Sequence, residues 1–181
     1  AEPWESYQAQ RLARIFNFVN DHLHPMPHTD AGRFFDTYFT TVHAAWAHSG
    51  QTLIAPTVSA MLTDTLTACG VPEHKIDLDA LDRVYDWGLI PGERAFADVP
   101  EVLPQLRAYG LELGIVTNAS APMSYRDREL QALDLLDYFP TCRVSAADVG
   151  YIKPHRGIFD RALDILGISA AEAVFVGDSL E

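Results

Sequence analysis

The chain has 181 residues, 48% hydrophobic and 21% charged, which is the composition of a globular protein and not of a disordered one. Thirteen basic against 25 acidic residues leave a net charge of −12, which argues against nucleic acid or an anionic membrane surface as partner. No apolar run approaches the roughly 20 residues needed to span a bilayer. Cys69 and Cys142 make neither a disulfide framework nor a metal spacing, so reduced thiols in a cytoplasmic protein are expected.

From Trp4 to about Trp87 the apolar residues follow helical spacing. Leu12, Ile15, Phe16 and Val19 share one face, and a proline-rich linker follows at His24-Pro25-Met26-Pro27. Phe35, Tyr38, Phe39, Val42 and Trp46 form a second stripe ending at a linker over Gly50-Gln51-Thr52, and the aromatic stripe Phe34, Phe35, Tyr38, Phe39 and Trp46 is read as core more than as ligand pocket. Val58, Met61, Leu62 and Leu66 make a third helix stopped by Gly70 before Val71-Pro72, and Leu78, Leu81, Val84 and Tyr85 a fourth. No strand is predicted in this stretch. His22, His24 and His28 lack the cysteine or carboxylate partners of a structural metal site, and His43 and His48 are five apart, off a common helix face.

After Ile90-Pro91-Gly92 the pattern changes to helices and strands in alternation. Asp98 with Glu101 has the form of a capping box, opening a helix that Pro104 should kink or shorten and Gly110 should end. Residues 111–117 are predicted as a strand, followed by a helix around 125–136 and a short strand at 142–145. Ile158, Phe159, Ala162, Leu163 and Leu166 mark a helix stopped by Gly167; Ser169 with Glu172 is a second capping signal, and residues 173–176 are predicted as a final strand. Alternation of this kind implies parallel pairing through crossovers. The fold class expected is α/β: a Rossmann-like parallel sheet flanked by helices (91–181), with an α-helical domain over 1–90.

Three segments carry the chemistry: Gly114-Ile115-Val116-Thr117-Asn118, Lys153-Pro154, and Val174-Phe175-Val176-Gly177-Asp178-Ser179. Two are apolar runs that break into small polar residues, where an open parallel sheet places its ligands. Between them stands one lysine beside a proline. Against so acidic a background, a bound anion would need such local positive charge or a metal.

In this order and at these spacings the segments resemble the haloacid dehalogenase-like hydrolase superfamily, in its branch with a helical cap inserted after the first strand. Thr117-Asn118 matches the second family motif, Lys153-Pro154 with Ser145 and Gly150 upstream the third, and Gly177-Asp178-Ser179 the start of the fourth. The resemblance implies a Mg²⁺-dependent phosphohydrolase acting on a small phosphorylated metabolite through an aspartyl-phosphate. In that chemistry Thr117 and nearby amides would hold a phosphoryl oxygen, and Lys153 would offset the charge gathered there. Asn118 would orient the substrate or its loop, Asp178 would ligate Mg²⁺, and Ser179 would help place that carboxylate. Arg33, Arg126 and Arg156 are further candidates for holding phosphate, and Cys142 reads as a small buried residue.

The pattern departs from the family at both ends. No apolar strand ending in an aspartate pair precedes Trp4, and the fourth motif stops short of its second acidic residue. The chain is therefore expected to lack the first strand with its nucleophile and a final segment, and to be inactive by itself. In the family the first strand lies between those ending at Thr117 and Gly177, so the sheet is expected to have a central gap. Two other readings follow from the same residues: a metal-independent 2-haloacid dehalogenase, and a non-catalytic binding module.

Overall fold

Helix-forming periodicity dominates the first half of the chain, and the computed structural model, which describes residues 3–177 with side chains from Ser6 onward, folds it accordingly. Helix α1 (Pro3–Phe18) widens into a π-type turn over Val19–Leu23, with Leu12, Ile15 and Val19 fully buried as their spacing requires. Helix α2 spans Ala31–Thr52, α3 Val58–Ala68 and α4 Leu78–Tyr85. Helix α3 is capped by Thr57, whose hydroxyl accepts from the Ala60 N–H at 3.1 Å, and Asp77 caps α4 in the same way at 2.9 Å.

Two expectations for α2 are corrected. Helical hydrogen bonding continues through Gly50, and the helix ends at Leu53, whose φ of 59° breaks the ladder. The aromatic stripe is also only partly buried: Phe34 and Tyr38 are inside, while Phe39 and Trp46 are exposed. Phe34 meets Phe16 of α1 at a ring separation of 5.6 Å. The interior also holds polar groups. Gln8 donates to Tyr85 Oη at 2.9 Å and to Tyr38 Oη at 3.3 Å, and burial pushes the Tyr38 phenol far above its usual range. Arg11 is fully buried, its guanidinium 4.0 Å from the Tyr7 ring and 4.7 Å from that of Trp87, with one bond to Gly88 C=O at 2.8 Å.

In the second half, α5 runs from Val99 to Ala108 and buries none of its residues. It carries Pro104 without ending there, at the expense of the bond that an N–H at this position would make to Pro100 one turn back. The expected capping box at Asp98 does not form: its backbone is already helical (φ −85°, ψ −18°), which takes the side chain out of capping position. Strand β1 (Gly114–Thr117) is followed by α6 (Met123–Ala132), strand β2 (Cys142–Ser145), the single turn α7 (Ala146–Val149) and α8 (Arg156–Leu166). The Ser169–Glu172 box does form, and the bonds from Ser169 hold the Glu172 carboxyl below the usual carboxylate range.

β1 and β2 pair in parallel, Gly114 opposite Cys142 and Thr117 opposite Ser145, so the connection through α6 is a crossover and the fold is α/β. Against β2 lies a core of Cys142, Val144, Ala146, Ile152, Ile158 and Ala162, in which α8 supplies the helical face. β1 is shorter than predicted, and residues 173–176 form no strand. Val174 and Val176 are 90% and 86% exposed. A strand is stable only when a neighbour takes up its N–H and C=O groups, and among the described residues β1 and β2 are the whole sheet.

The chain divides into two compact units. One comprises Ala1–His48 and Pro56–Glu93, the other Ser49–Ala55 and Arg94–Glu181. The short excursion has a structural cause: Ala55 N–H donates to Gly150 C=O and Ile152 N–H to Leu53 C=O, both at 2.9 Å, giving an antiparallel bridge between Ile54 and Tyr151.

Candidate active site

Parallel pairing brings the carboxyl ends of β1 and β2 side by side, so Thr117 and Ser145 stand at one edge of the sheet. The loop after β1 is tied down from β2. The fully buried Ser145 hydroxyl donates to Ala121 C=O at 2.6 Å, with Ala119 C=O also in reach at 3.1 Å. Ala147 N–H donates to Ala119 C=O at 3.2 Å, and Asp148 accepts from Met123 N–H at 2.8 Å, fixing the start of α6. This loop therefore has a defined shape before any ligand arrives.

Asn118 reaches across from that loop to the lysine. Its Oδ1 accepts from the Lys153 N–H at 2.6 Å, and its Nδ2 donates to Lys153 C=O at 3.4 Å. One side-chain amide thus clamps both polar groups of one peptide residue, 35 positions away. Upstream of the lysine, residues 150–152 are held by the pairing with 53–55; downstream, His155 N–H donates to Ile152 C=O at 2.9 Å. The Lys153-Pro154 peptide is cis. The Lys153 ammonium lies 5.1 Å from the centre of the Phe175 ring, and no carboxylate among the described residues pairs with it.

Of the residues singled out in the sequence, Thr117, Asn118 and Lys153 are brought together at this edge. Asp178 and Ser179 lie outside the described residues. Phe175 and Gly177, the described part of the same segment, follow an extended Ala173 (φ −114°, ψ 147°). The arginines proposed as anion clamps have other tasks: Arg126 pairs with Glu129 at 2.5 Å, Arg156 with Asp160 at 2.9 Å, and Arg33 bonds His28 C=O at 3.2 Å. Cys142 is buried against α8, and desolvation pushes its thiol above the ordinary value. An open depression of about 510 Å³ between Arg14, Asp21, His22, Arg83 and Asp86 belongs wholly to the helical unit and contains no predicted site residue.

Residues 49–181 match the family described as haloacid dehalogenase-like hydrolase. This span holds the whole of the site just described. The chain belongs to the haloacid dehalogenase-like hydrolase family.

Curated relatives in this family point the same way. The chain is 30% identical over 136 residues to a phosphoglycolate phosphatase of Photorhabdus laumondii, an overlap covering 75% of this chain and 56% of that protein. It is 35% identical over 112 residues to one from Yersinia pseudotuberculosis (59% and 47% covered), and 36% over 98 residues to one from Escherichia coli K12 (54% and 38%). The chain spans about half the length of the relatives it matches.

The described residues bring one ammonium group and several hydrogen-bonding groups to this edge of the sheet. Among them no group of three His, Cys, Asp or Glu side chains is placed to hold an ion. No helix among them is long and apolar enough to cross a membrane. Two features of the site escaped the sequence reading. Residues 53–55 are a short apolar run behind a long helix, too brief to register as a strand. The other is the bond from His155 N–H to Ile152 C=O, which holds the chain just after the Lys-Pro pair; the place of His155 beside that pair was the available signal.

Proposed function

We propose that the protein is a phosphohydrolase that removes phosphate from a small phosphorylated metabolite, through an aspartyl-phosphate and with Mg²⁺ as cofactor. The Asn118 clamp on the Lys153 peptide is the observation that carries this reading. A solvated surface lysine needs no such fixing. An ammonium group that must meet a phosphoryl group at a set place beside the strand end does.

In this reading Lys153 offsets charge on the phosphoryl oxygens, and the Thr117 hydroxyl with the amides of the tied-down loop orients them. Ser145 and Asp148 keep that loop in shape. Magnesium, when bound, supplies further charge neutralisation; Asp178 is its proposed ligand. Because the chain spans about half the length of the relatives it matches, the activity is assigned to the full-length protein. The helical unit is the proposed cap, and substrate choice is assigned to it. The activity for which the relatives are named makes phosphoglycolate the first substrate to try.

The test is phosphate release by the full-length protein from phosphoglycolate and from an aryl phosphate. Turnover is expected to stop in EDTA and return with Mg²⁺, and Lys153→Ala should lower kcat by roughly 10²- to 10³-fold. Halide release from a 2-haloacid that survives EDTA would replace this reading with the dehalogenase. Absence of both activities would leave a binding module.

A further inference from the structure

We propose that His155 is a positioning residue for Lys153: its imidazole caps α8 and stacks on Tyr151, and so locks the turn that carries the lysine. The proposal rests on the assignment of Lys153 to the phosphoryl site. Three separate observations converge on it.

The first is the cap. The opening N–H groups of a helix have no partner within it, and a short side-chain oxygen usually supplies one. Here a ring nitrogen does so: His155 Nδ1 accepts from the Gly157 N–H at 3.0 Å. The bond requires a lone pair on Nδ1, hence a neutral imidazole with its proton on Nε2.

The second is the stack. The His155 ring lies on that of Tyr151 with centroids 3.8 Å apart and planes inclined by 9°. The rings flank the Lys153-Pro154 pair in sequence, and Tyr151 is itself anchored through the bridge to Ile54. The chain is thus gripped two residues before and two residues after Lys153, while Asn118 grips the residue between.

The third is Gly157. A Cβ there would lie 3.1 Å from both His155 Nδ1 and Tyr151 Cδ2, and 3.3 Å from His155 Cε1. In the first turn of a helix alanine is intrinsically the better residue. The space its methyl would fill is taken by the two rings.

Each contact alone would be ordinary local structure. Together they hold the lysine's root from the side that Asn118 does not reach. A displacement of about 1 Å at a group that must meet the reacting centre costs up to about 100-fold in rate.

The experiment uses the full-length protein and two readouts: phosphate release from an aryl phosphate, and amide exchange at Gly157 followed by NMR. His155→Ala should lower kcat roughly ten- to hundredfold with KM little changed, and should speed Gly157 exchange. His155→Asn should restore both to within about threefold of the parent, because Asn offers an acceptor oxygen near the place of Nδ1 and is a preferred cap. Gly157→Ala should lower kcat without lowering thermal stability. The proposal is overturned if His155→Ala leaves kcat and exchange unchanged. It is equally overturned if His155→Asn folds and protects Gly157 but stays as slow as His155→Ala, since the imidazole would then be acting on substrate itself. Should His155→Ala fail to fold, His155→Asn and Gly157→Ala decide the matter by the same criteria. Full activity in Lys153→Ala would instead remove the phosphoryl-site assignment, and Gly157 exchange would still report whether the cap exists.

Discussion

Asn118 shows how much a single amide can settle. Its two bonds to the Lys153 peptide combine an acceptor and a donor, a pair that neither Asp nor Ala can reproduce. Asn118→Ala leaves both peptide groups to find water, a loss of about 1–3 kcal/mol of positioning that corresponds to roughly 10- to 100-fold in kcat. Asn118→Asp keeps the 2.6 Å acceptor and should fall between Ala and the parent. Equal kcat in all three would show the clamp to be irrelevant. The resemblance assigns Asn118 to orienting the substrate or its loop, and its two bonds join it to the backbone of Lys153. Thr117 and Asn118 were readable as polar punctuation after an apolar run and Lys153 as a lone lysine beside a proline; that Asn118 holds Lys153 was not, because the contact spans 35 residues.

Cys142 makes a pH prediction at the same scale. Burial raises its thiol pKa, so the folded state keeps its proton where the unfolded chain has begun to lose one. Its contribution to stability is therefore full at neutral pH and declines as pH climbs past the ordinary thiol value. Urea midpoints measured from pH 7 to 10 should fall less in Cys142→Ser than in the parent. In the native protein a thiol reagent should titrate the half-buried Cys69 first. Prompt reaction of both thiols would contradict the burial described.

Among the elements, β1 and β2 make the comparison between sequence and structure most instructive. β2 was legible to the residue, because Cys142 and Val144 alternate with Arg143 and face the core. β1 lost its first three predicted residues and residues 173–176 lost strand character altogether, since strand formation depends on what lies alongside and local pattern does not report that. Gly50 misled in the opposite direction: the helix runs through it, at a cost of about 1 kcal/mol relative to alanine, with Ser49 beside it buried. Gly114, by contrast, is required by contact. A Cβ there would approach Cys142 Cβ and Sγ to 3.1 Å and the Cys142 carbonyl to 3.3 Å, within the parallel pair itself. Gly114→Ala should cost about 1–3 kcal/mol in denaturant unfolding with no change in slope. A loss below about 0.5 kcal/mol would mean that the strands separate freely at that register.

At the scale of the molecule, exposed apolar surface gathers in the second unit. Val174 and Val176 at 90% and 86%, with Phe96, Tyr109 and Leu111, leave more hydrocarbon in water than isolated surface residues account for. The 181-residue chain by itself should bind a hydrophobic dye and associate with rising concentration. Val174→Lys with Val176→Lys should reduce both, as read by fluorescence and sedimentation. Unchanged association would locate the adhesive surface elsewhere. The change in texture after residue 90 was visible in composition alone, whereas membership of Ser49–Ala55 in the second unit was not, because nothing in those residues names a partner so distant.

That membership has a topological consequence. The polypeptide passes between its two units three times, and the bridge at Ile54 closes a loop of about 100 residues. Loop entropy rises only logarithmically with length, so the closure is inexpensive at equilibrium, but it must await both ends in folding. No single cut in the gene separates the two units, and any cut between 55 and 150 strips residues 150–152 of their neighbour. A chimera that borrowed the helical unit from a relative would have to keep this three-residue splint of the recipient, or leave the lysine turn braced on one side only.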